Sequence, residues 1–325
     1  MQSQENSIQV ATESQAGQIR VGGHSDVWAA YSASIDGAER TKQTYTRALK
    51  VWRSWLDEAG LSWDSARREH VLAFRAGLQA AGYKPATVNA YLAAVRSFYR
   101  FTEAERIYPN VAAGVKGLKR STAGAKDALT VEQAARYAAP ASGERTLKQL
   151  RDDALAVLMV TRGLRTIEVA RADVGDVRQV GGRAVLMVQG KGYTDKGDMI
   201  VLSPEILDAI YRYLDARGHV EPSDPLFAST SNRNAGGRMS TRSISHICKE
   251  RLHDIGATSD RLTAHSLRHT AVTLALLGGA TVQEVQQLAR HSSINTTMLY
   301  AHNLERLEGA GERAVDSIIH KASAA

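Results

Sequence analysis

Side chains that could carry out catalysis concentrate in the last quarter of the sequence. The segment HSLRHT covers 265–270 and ARHSSINTTMLYAH covers 289–302, with an apolar stretch of helical character between them. Upstream, RGLRTIEVARADV at 162–174 supplies arginine, and QGKGYTDKGD at 189–198 supplies lysine in a glycine-rich turn. Guanidinium groups bind phosphate oxygens through paired hydrogen bonds, imidazoles transfer protons near neutral pH, and a phenol can act as a nucleophile. Together these residue types indicate phosphoryl-transfer chemistry.

The order and local context of six of these residues resemble the tyrosine recombinase (lambda-integrase) family. The family pattern is Arg, Lys, His-x-x-Arg, His or Trp, and Tyr. The corresponding residues here are Arg165, Lys191, His265, Arg268, His291 and Tyr300, in that order. The resemblance implies a site-specific recombinase or integrase. Such an enzyme cleaves and rejoins duplex DNA through a 3′-phosphotyrosyl intermediate and a Holliday junction.

The resemblance assigns the nucleophile and its electrostatic partners. Tyr300 would attack the scissile phosphate, although a phenol with an unperturbed pKa of about 10 needs nearby cations and a proton acceptor to do so. Arg165 and Arg268 would hold the two non-bridging oxygens, where negative charge develops in the transition state. The residues around Arg165, including Glu168, match the family's GLR…E segment.

The histidines allow two interpretations. His265 lies three residues before Arg268, so one helix face carries both, and the resemblance makes His265 the group that accepts or relays the tyrosyl proton. His265 and His269 also have the i, i+4 spacing of zinc-binding histidines, but the glutamate of an HExxH motif is missing. We therefore interpret His269 as a packing residue or a support for the site. His291 would donate to the phosphate, and Arg290 beside it replaces the glycine usual in the family.

A lysine completes the set. Lys191 in the GKG turn matches the family's hairpin lysine and would protonate the departing 5′ oxygen, while Lys196, five residues later, is a rival for this role. Glu168 and Asp176 stand at further family-like positions, from which they would orient Arg165 or cap helices. The resemblance implies no cofactor and no metal ion.

Length and composition limit the class of protein. The 325 residues suggest two domains, and 43% hydrophobic with 23% charged residues is typical of a globular protein. The sequence has no run of 18 apolar residues, and its polar start lacks the apolar region of a secretory signal. A single cysteine, Cys248, forms no intrachain disulfide and fits a reducing compartment. We expect a cytoplasmic, nucleoid-associated protein without a membrane partner, in a prokaryotic or phage context.

The N-terminal third is predicted to bind DNA. Residues 1–22 are polar and read as a disordered or partner-dependent tail. Residues 23–108 show helical periodicity and predict a four-helix domain without a strand. The resemblance makes it the core-DNA-binding domain. The net charge of +7 favours an anionic partner, and residues 1–120, with 16 Lys and Arg against 11 Asp and Glu, carry +5 of it.

Residues 109–127 are predicted to be a flexible basic interdomain linker, because proline and glycines break the helical periodicity. Its four cations are Lys116, Lys119, Arg120 and Lys126, against one acid. Because related recombinases clamp duplex DNA between two domains, we interpret this segment as a strap across the DNA backbone. A solvated linker is the alternative.

Residues 128–325 are predicted to form the catalytic domain. Most of it has helical periodicity, and two β-rich runs near 183–189 and 198–202 predict a small antiparallel sheet. The fold class is therefore mainly α (α+β): a helical N-terminal domain and a mostly helical catalytic domain with a small antiparallel β-sheet. A final amphipathic helix at 304–320 either packs on its own domain or docks on a neighbouring protomer.

The resemblance implies partners and leaves two alternatives. The substrate would be duplex DNA with an inverted-repeat core site, bound by one dimer per site and by a tetramer in the synapse, with room for accessory proteins. One alternative is a type IB topoisomerase-like enzyme, and the other is a non-catalytic DNA-binding regulator on the same fold. The helical N-terminal domain favours a recombinase over a topoisomerase. The complete set of nucleophile, arginines and lysine argues against a regulator.

Overall fold

The computed structural model describes residues 24–36, 39–119, 127–140, 142–143, 145–190, 195–307 and 310–323. The chain divides into two compact units, Met1–Thr122 and Ala123–Ala325. The described part is mainly α with one small antiparallel sheet, which confirms the predicted fold class. Within these ranges no helix has both the length and the apolar character needed to cross a bilayer. The predicted tail at 1–22 and three of the predicted site residues lie outside the described residues. These three are Arg120, Lys126 and Lys191.

The N-terminal unit contains the four predicted helices. They are α1 (His24–Ser34), α2 (Glu39–Glu58), α3 (Arg68–Ala80) and α4 (Pro85–Ala104). Aromatic side chains fill the core between them. Trp52 and Tyr99 are fully buried, and the Tyr99 hydroxyl donates to the backbone carbonyl of Trp63 at 2.9 Å. Proline at the first position of α4 is compatible with a helix start, because that backbone nitrogen has no intrahelical acceptor.

The described part of the segment that follows α4, residues 109–119, is packed, which corrects the prediction of flexibility for this part of the linker predicted at 109–127. Ala112 and Val115 are buried in the core of the N-terminal unit. Of the predicted phosphate contacts in this segment, the structure describes Lys116 and Lys119, and both are exposed. The sequence-based error has a physical cause. The loss of helical periodicity correctly indicated that the segment is not helical. An irregular segment can nevertheless be held in place by tertiary hydrogen bonds as firmly as a helix.

Side chains of α3 and α4 supply these hydrogen bonds. Asn89 donates to the carbonyl of Leu118 at 2.9 Å and accepts from its backbone nitrogen at 2.7 Å. Three arginines, Arg68, Arg75 and Arg96, donate to backbone carbonyls between residues 113 and 116. A Cβ at Gly117 would lie 2.5 Å from Asn89 Oδ1, so this close approach requires glycine. The core of the unit therefore continues to about residue 118.

The C-terminal unit contains nine helices in its described part and one sheet. The helices are α5 (Val131–Ala138), α6 (Leu147–Arg162), α7 (Thr166–Arg171), α8 (Pro204–Arg217), α9 (Thr241–Asp254), α10 (Ala264–Leu277), α11 (Val282–Ala289), α12 (Ile294–Leu307) and α13 (Ala310–Ser323). The strands are β1 (Val177–Val180), β2 (Arg183–Val188) and β3 (Asp198–Val201), in the order β1-β2-β3. Helix α6 lies at the centre of the core, with Leu155, Leu158 and Met159 fully buried.

The two predicted strands are present as β2 and β3, whereas β1 was missed. In the β1–β2 hairpin Val180 is paired with Arg183, and both Gly181 and Gly182 have positive φ, 56° and 74°. A two-residue Gly-Gly loop is a strong hairpin signal, so the sequence did contain the evidence for β1. Residues 189–197 connect β2 to β3.

The predicted start of the last helix at 304 is wrong. Helix α12 continues to Leu307, and a separate helix α13 covers Ala310–Ser323. Neither glycine nor proline occurs between Ile294 and Leu307, whereas Gly309 and Gly311 follow, and glycine is the weaker helix former.

The packing of the segment after α4 predicts a measurable stability effect. Val115→Ala should destabilise the N-terminal unit by about 2 kcal/mol, since it removes two buried methyl groups and leaves a cavity. Lys116→Ala, at an exposed position next to it, should change stability by less than about 0.5 kcal/mol. The measurement is chemical denaturation followed by tryptophan fluorescence, because all four tryptophans belong to this unit. They are Trp28, Trp52, Trp55 and Trp63. Equal denaturation midpoints for the two variants would contradict this packing and support the prediction of a flexible linker.

Candidate active site

The turn that ends α6 positions Arg165. Gly163 terminates α6 with a φ of 61°, and a Cβ there would lie 3.2 Å from the Cβ of Ala271 on α10. Arg165 is then the N-cap of α7. Its backbone nitrogen donates to Glu168 Oε2 at 2.8 Å, and its Nη1 donates to Glu168 Oε1 at 2.7 Å. The expectation that Glu168 orients Arg165 is confirmed by these two contacts.

A third guanidinium at the site, that of Arg290, was missed by sequence reasoning. Arg290 Nη2 contacts Glu168 Oε2 at 2.8 Å, and the carbonyl of Arg290 accepts from Arg165 Nη2 at 3.2 Å. Its backbone ends α11 in the left-handed region, with φ 51° and ψ 50°. Glycine is usual there because this conformation disfavours a Cβ. An arginine that replaces glycine in such a position needs a compensating contact. The replacement of the family's glycine by Arg290 was therefore the evidence in the sequence for a role of this side chain.

Glu168 is a fully buried carboxylate between two arginines. Its side chain is 0% exposed. Burial alone would raise its pKa, but Arg290 and then Arg165 outweigh burial and hold the pKa of Glu168 below its ordinary value. The carboxylate is therefore ionised at neutral pH and links the start of α7 to the end of α11.

Arg268 lies on α10 and is 2% exposed. Its Nη1 donates to the carbonyl of Gly163 at 2.8 Å, whereas its buried Nη2 has no hydrogen-bond partner among the described residues. Burial, followed by the positive charges of Arg165 and Arg290, lowers the pKa of Arg268 to about 9. Burying a hydrogen-bond donor without an acceptor costs free energy. An anion bound next to Nη2 would supply the missing acceptor.

The hydroxyl of Tyr300 is hydrogen-bonded to Nδ1 of His269. This contact is compatible with the interpretation of His269 as a support for the site, and it places the imidazole directly on the predicted nucleophile. The ring of His265 packs edge-to-face on His269 with centroids 4.6 Å apart, and the ring of His291 lies parallel to that of Tyr300 with centroids 6.2 Å apart. Burial raises the pKa of Tyr300, and Arg268 offsets part of this rise. Two histidine rings, those of His269 and His291, thus lie next to the phenol, and a third, that of His265, packs on His269.

His291 is held as a neutral imidazole. Its Nδ1 lies 2.9 Å from the hydroxyl of the buried Thr297. Burial lowers the pKa of His291 to about 4, with further lowering by Arg268, Arg165 and Arg290. A neutral imidazole retains one N–H, so His291 is able to donate one hydrogen bond without carrying charge.

Lys196 is bound in an ion-pair network. Its Nζ contacts Asp173 Oδ2 at 2.6 Å and Asp176 Oδ2 at 2.5 Å. Burial lowers the pKa of Lys196, but the two carboxylates outweigh burial and raise it above its usual value. Asp176 also accepts from the backbone nitrogen of Asp173 at 2.7 Å, which is the capping role expected of it.

Five of the six residues that match the family pattern lie in the described part: at the N-cap of α7, on α10, just before α12 and on α12. Arg165 and His265 also line an open cleft of about 550 Å³. Among the described residues, no group of three or more His, Cys, Asp or Glu side chains could hold a metal ion.

Comparison with known proteins agrees with this geometry. Residues 129–306 match the Phage integrase family, and residues 30–106 match the Phage integrase, N-terminal SAM-like domain. The chain belongs to the phage integrase family. A tyrosine recombinase of Synechocystis sp. is 31% identical over 280 residues, which cover 81% of this chain and 86% of the relative. The tyrosine recombinase XerC of Pelobacter propionicus is also 31% identical over 280 residues, covering 84% and 88%.

Solved structures support the integrase fold. The XerH recombinase in its post-cleavage complex with the palindromic difH substrate superposes with a TM-score of 0.71 and 18% identity, covering 89% of this chain and 84% of XerH. A lambda integrase dimer bound to a COC′ core site gives a TM-score of 0.62 and 18% identity, covering 84% and 96%. At this identity the likeness concerns the fold. The phage integrase family assignment rests on the two matched regions and on the curated relatives.

The three guanidiniums of this integrase predict the titration of His291. The pKa of its imidazole should be about 4, against about 6.5 in the unfolded chain. The folded state then binds fewer protons than the unfolded state between these values. The corresponding stability is therefore present above about pH 6.5 and is lost as the pH falls towards 4. NMR titration of the ring proton measures the midpoint.

Arg290→Gly is the matching variant, because glycine accepts the left-handed conformation while one cation disappears. It should raise the pKa of His291. A midpoint near 6.5 in the unchanged chain, or no shift in Arg290→Gly, would contradict this electrostatic account.

Proposed function

We propose that this integrase-family protein cleaves and rejoins duplex DNA at specific sites, with Tyr300 as the nucleophile. The observation that carries the proposal is the buried, unpartnered Nη2 of Arg268 in the same cluster as the Tyr300 hydroxyl. That nitrogen offers a fixed donor to an anion at the place where a nucleophile is held. A scissile phosphate bound there would accept a hydrogen bond from Arg268 Nη2 and would lie next to the Tyr300 hydroxyl.

Arg165 and Arg268 act on the phosphate. The negative charge on its non-bridging oxygens grows as the phosphorus becomes pentacoordinate, and guanidiniums fixed by Glu168 and by the carbonyl of Gly163 need little reorganisation to stabilise it. His291, neutral and oriented by Thr297, donates a further hydrogen bond. His265 lies one helical turn from His269 and supports the same site.

The reaction conserves the energy of the phosphodiester. Tyr300 Oη forms a bond to phosphorus, the bond from phosphorus to the 5′ oxygen breaks, and a 3′-phosphotyrosine results. We assign protonation of the 5′ oxygen to Lys191, because its rival Lys196 is engaged by Asp173 and Asp176. Attack by a 5′ hydroxyl of the exchanged strand reverses the step, so no nucleotide cofactor is required, and two successive exchanges pass through a Holliday junction.

The assembly we propose is one dimer per inverted-repeat core site and a tetramer in the synapse. The curated relatives are tyrosine recombinases, and the lambda integrase structure is a dimer on a core site. In α13 the apolar side chains Val315, Ile318 and Ile319 are more than half exposed, which favours docking on a neighbouring protomer over packing on its own unit. Lys116, Lys119, Arg120 and Lys126 are proposed to contact the DNA backbone.

The alternative of a type IB topoisomerase-like activity is less favoured, because the N-terminal unit matches the SAM-like domain of phage integrases. A non-catalytic regulator would have no use for a hydroxyl held close to the charge of Arg268.

The test is covalent attachment of DNA to Tyr300. DNA that remains on the protein after detergent and protease treatment should be recoverable from cells expressing it, and sequencing of that DNA should define one recurrent site. A nicked duplex carrying this site should trap the adduct in vitro. Tyr300→Phe should bind the same duplex with unchanged affinity and form no adduct. Adduct formation by this variant would disprove the assignment of the nucleophile, and no adduct in the unchanged protein would disprove the activity.

The assignment of Lys191 makes a separate prediction. Lys191→Ala should lose cleavage by about 10²-fold or more, and a duplex with a 5′-bridging phosphorothiolate should restore it, because sulfur leaves without a proton. Lys196→Ala is the matched control. It should lose stability through Asp173 and Asp176, and its cleavage should gain nothing from the sulfur substrate. Rescue confined to Lys196→Ala would reverse the two roles.

A further inference from the structure

The contact between Tyr300 and His269 concerns the fate of the phenolic proton. A nucleophilic phenol must lose its proton before or during attack, and the acceptor must lie within hydrogen-bond reach. Nδ1 of His269 is hydrogen-bonded to the Tyr300 hydroxyl, and the two ring centroids are 5.2 Å apart. We propose that His269 is the catalytic general base that accepts the proton of the Tyr300 hydroxyl. This inference rests on the proposed function.

The surroundings of Tyr300 make a base necessary. Burial raises the pKa of the phenol, and the compensation from Arg268 is smaller. The hydroxyl therefore remains protonated at neutral pH until an acceptor removes the proton.

Other described groups near the phenol are less suited to this task. The ring of His291 lies nearly parallel to that of Tyr300, at an interplanar angle of 17°, and its Nδ1 is occupied by Thr297. Glu168 is engaged by Arg165 and Arg290. His265 packs edge-to-face on the His269 ring. Of these four side chains, His269 is the one whose hydrogen bond to the hydroxyl the structure shows.

The proposed step balances in both directions. In cleavage, the O–H bond of Tyr300 breaks and its proton moves to His269 Nδ1. The Oη–phosphorus bond forms and the bond to the 5′ oxygen breaks. The 5′ oxygen takes its proton from Lys191. In rejoining, the 5′ hydroxyl returns this proton to Lys191 and its oxygen bonds to phosphorus, the Oη–phosphorus bond breaks, and His269 returns its proton to the phenolate oxygen. The imidazole must be neutral at the outset, with its proton on Nε2 and a lone pair on Nδ1.

His269→Asn separates proton transfer from packing. The side-chain amide of asparagine replaces the part of the imidazole that contains Nδ1, so it can keep a hydrogen bond to Tyr300 but cannot take a proton. The measurement is single-turnover cleavage of the duplex recovered from covalent complexes. His269→Asn should lose about 10²- to 10⁴-fold in rate, with unchanged DNA affinity.

Fluorination of Tyr300 distinguishes proton transfer by His269 from mere packing, because the cleavage rate of the His269 variant depends on the acidity of the phenol only in the first case. A fluorotyrosine placed at 300 has a more acidic phenol, which depends less on a base. It should speed cleavage by His269→Asn and should not speed the unchanged protein. His265→Asn, one turn earlier on the same helix, is the matched control, and fluorination should not relieve its loss.

The outcomes separate this inference from the proposed function. If the unchanged protein forms no covalent adduct, the proposed function fails. If it forms the adduct and His269→Asn cleaves within about threefold of it, His269 is not the base. If fluorination relieves the loss in Lys191→Ala and not that in His269→Asn, the proton goes to Lys191. Should His269→Asn fold poorly, cleavage by His269→Ala with added imidazoles of different basicity decides the same question, since rescue by a base follows its pKa and rescue by a packing contact does not.

Discussion

The buried carboxylate of Glu168 is the group on which the rest of the site depends. Taking an ionised carboxylate out of water is costly unless cations and hydrogen-bond donors surround it. Arg165 supplies one guanidinium and a backbone nitrogen, and Arg290 supplies a second guanidinium. The start of α7 and the end of α11 are thereby joined through one side chain. Removal of either arginine would leave the carboxylate with too few donors, so the pair holds the backbone as well as the charges in place.

The guanidinium cluster in turn determines the chemistry of its neighbours. Burial, followed by the positive charges brought together at the site, lowers the pKa of Arg268 and of His291. Such an arrangement is unfavourable by itself, and a bound phosphate would relieve it by supplying negative charge and an acceptor for Arg268. Burial acts in the opposite sense on Tyr300 and keeps it protonated. We therefore expect the same site to bind an anion and the proposed nucleophile to depend on a base. Perturbed groups gathered in this way are typical of active sites.

Arginine has a different role in the N-terminal unit. Arg68, Arg75 and Arg96 donate to backbone carbonyls of the segment after α4, while the exposed Lys116 is held by its backbone. Excess positive charge in this third of the sequence suggested DNA contacts, but composition does not distinguish an arginine that binds phosphate from one that binds a carbonyl. An irregular segment of more than ten residues leaves many backbone groups without regular partners, and the long, multiply donating guanidinium is well suited to reach them. Exposed lysines on a packed segment then have a defined position.

The sequence alone determined the family, the four N-terminal helices, most C-terminal helices and two of three strands, because these depend on local periodicity, caps and a motif in fixed order. The six positions that match the family's catalytic pattern were also recognisable from their context. Tertiary structure decided the remainder. His265 and His269 share one helix face, and only the packing of α12 on α10 determines which one meets Tyr300. Arg290 appeared as a departure from glycine, and its role depends on Glu168, which is 122 residues away in the chain. Contacts between distant residues leave no periodic trace in the sequence.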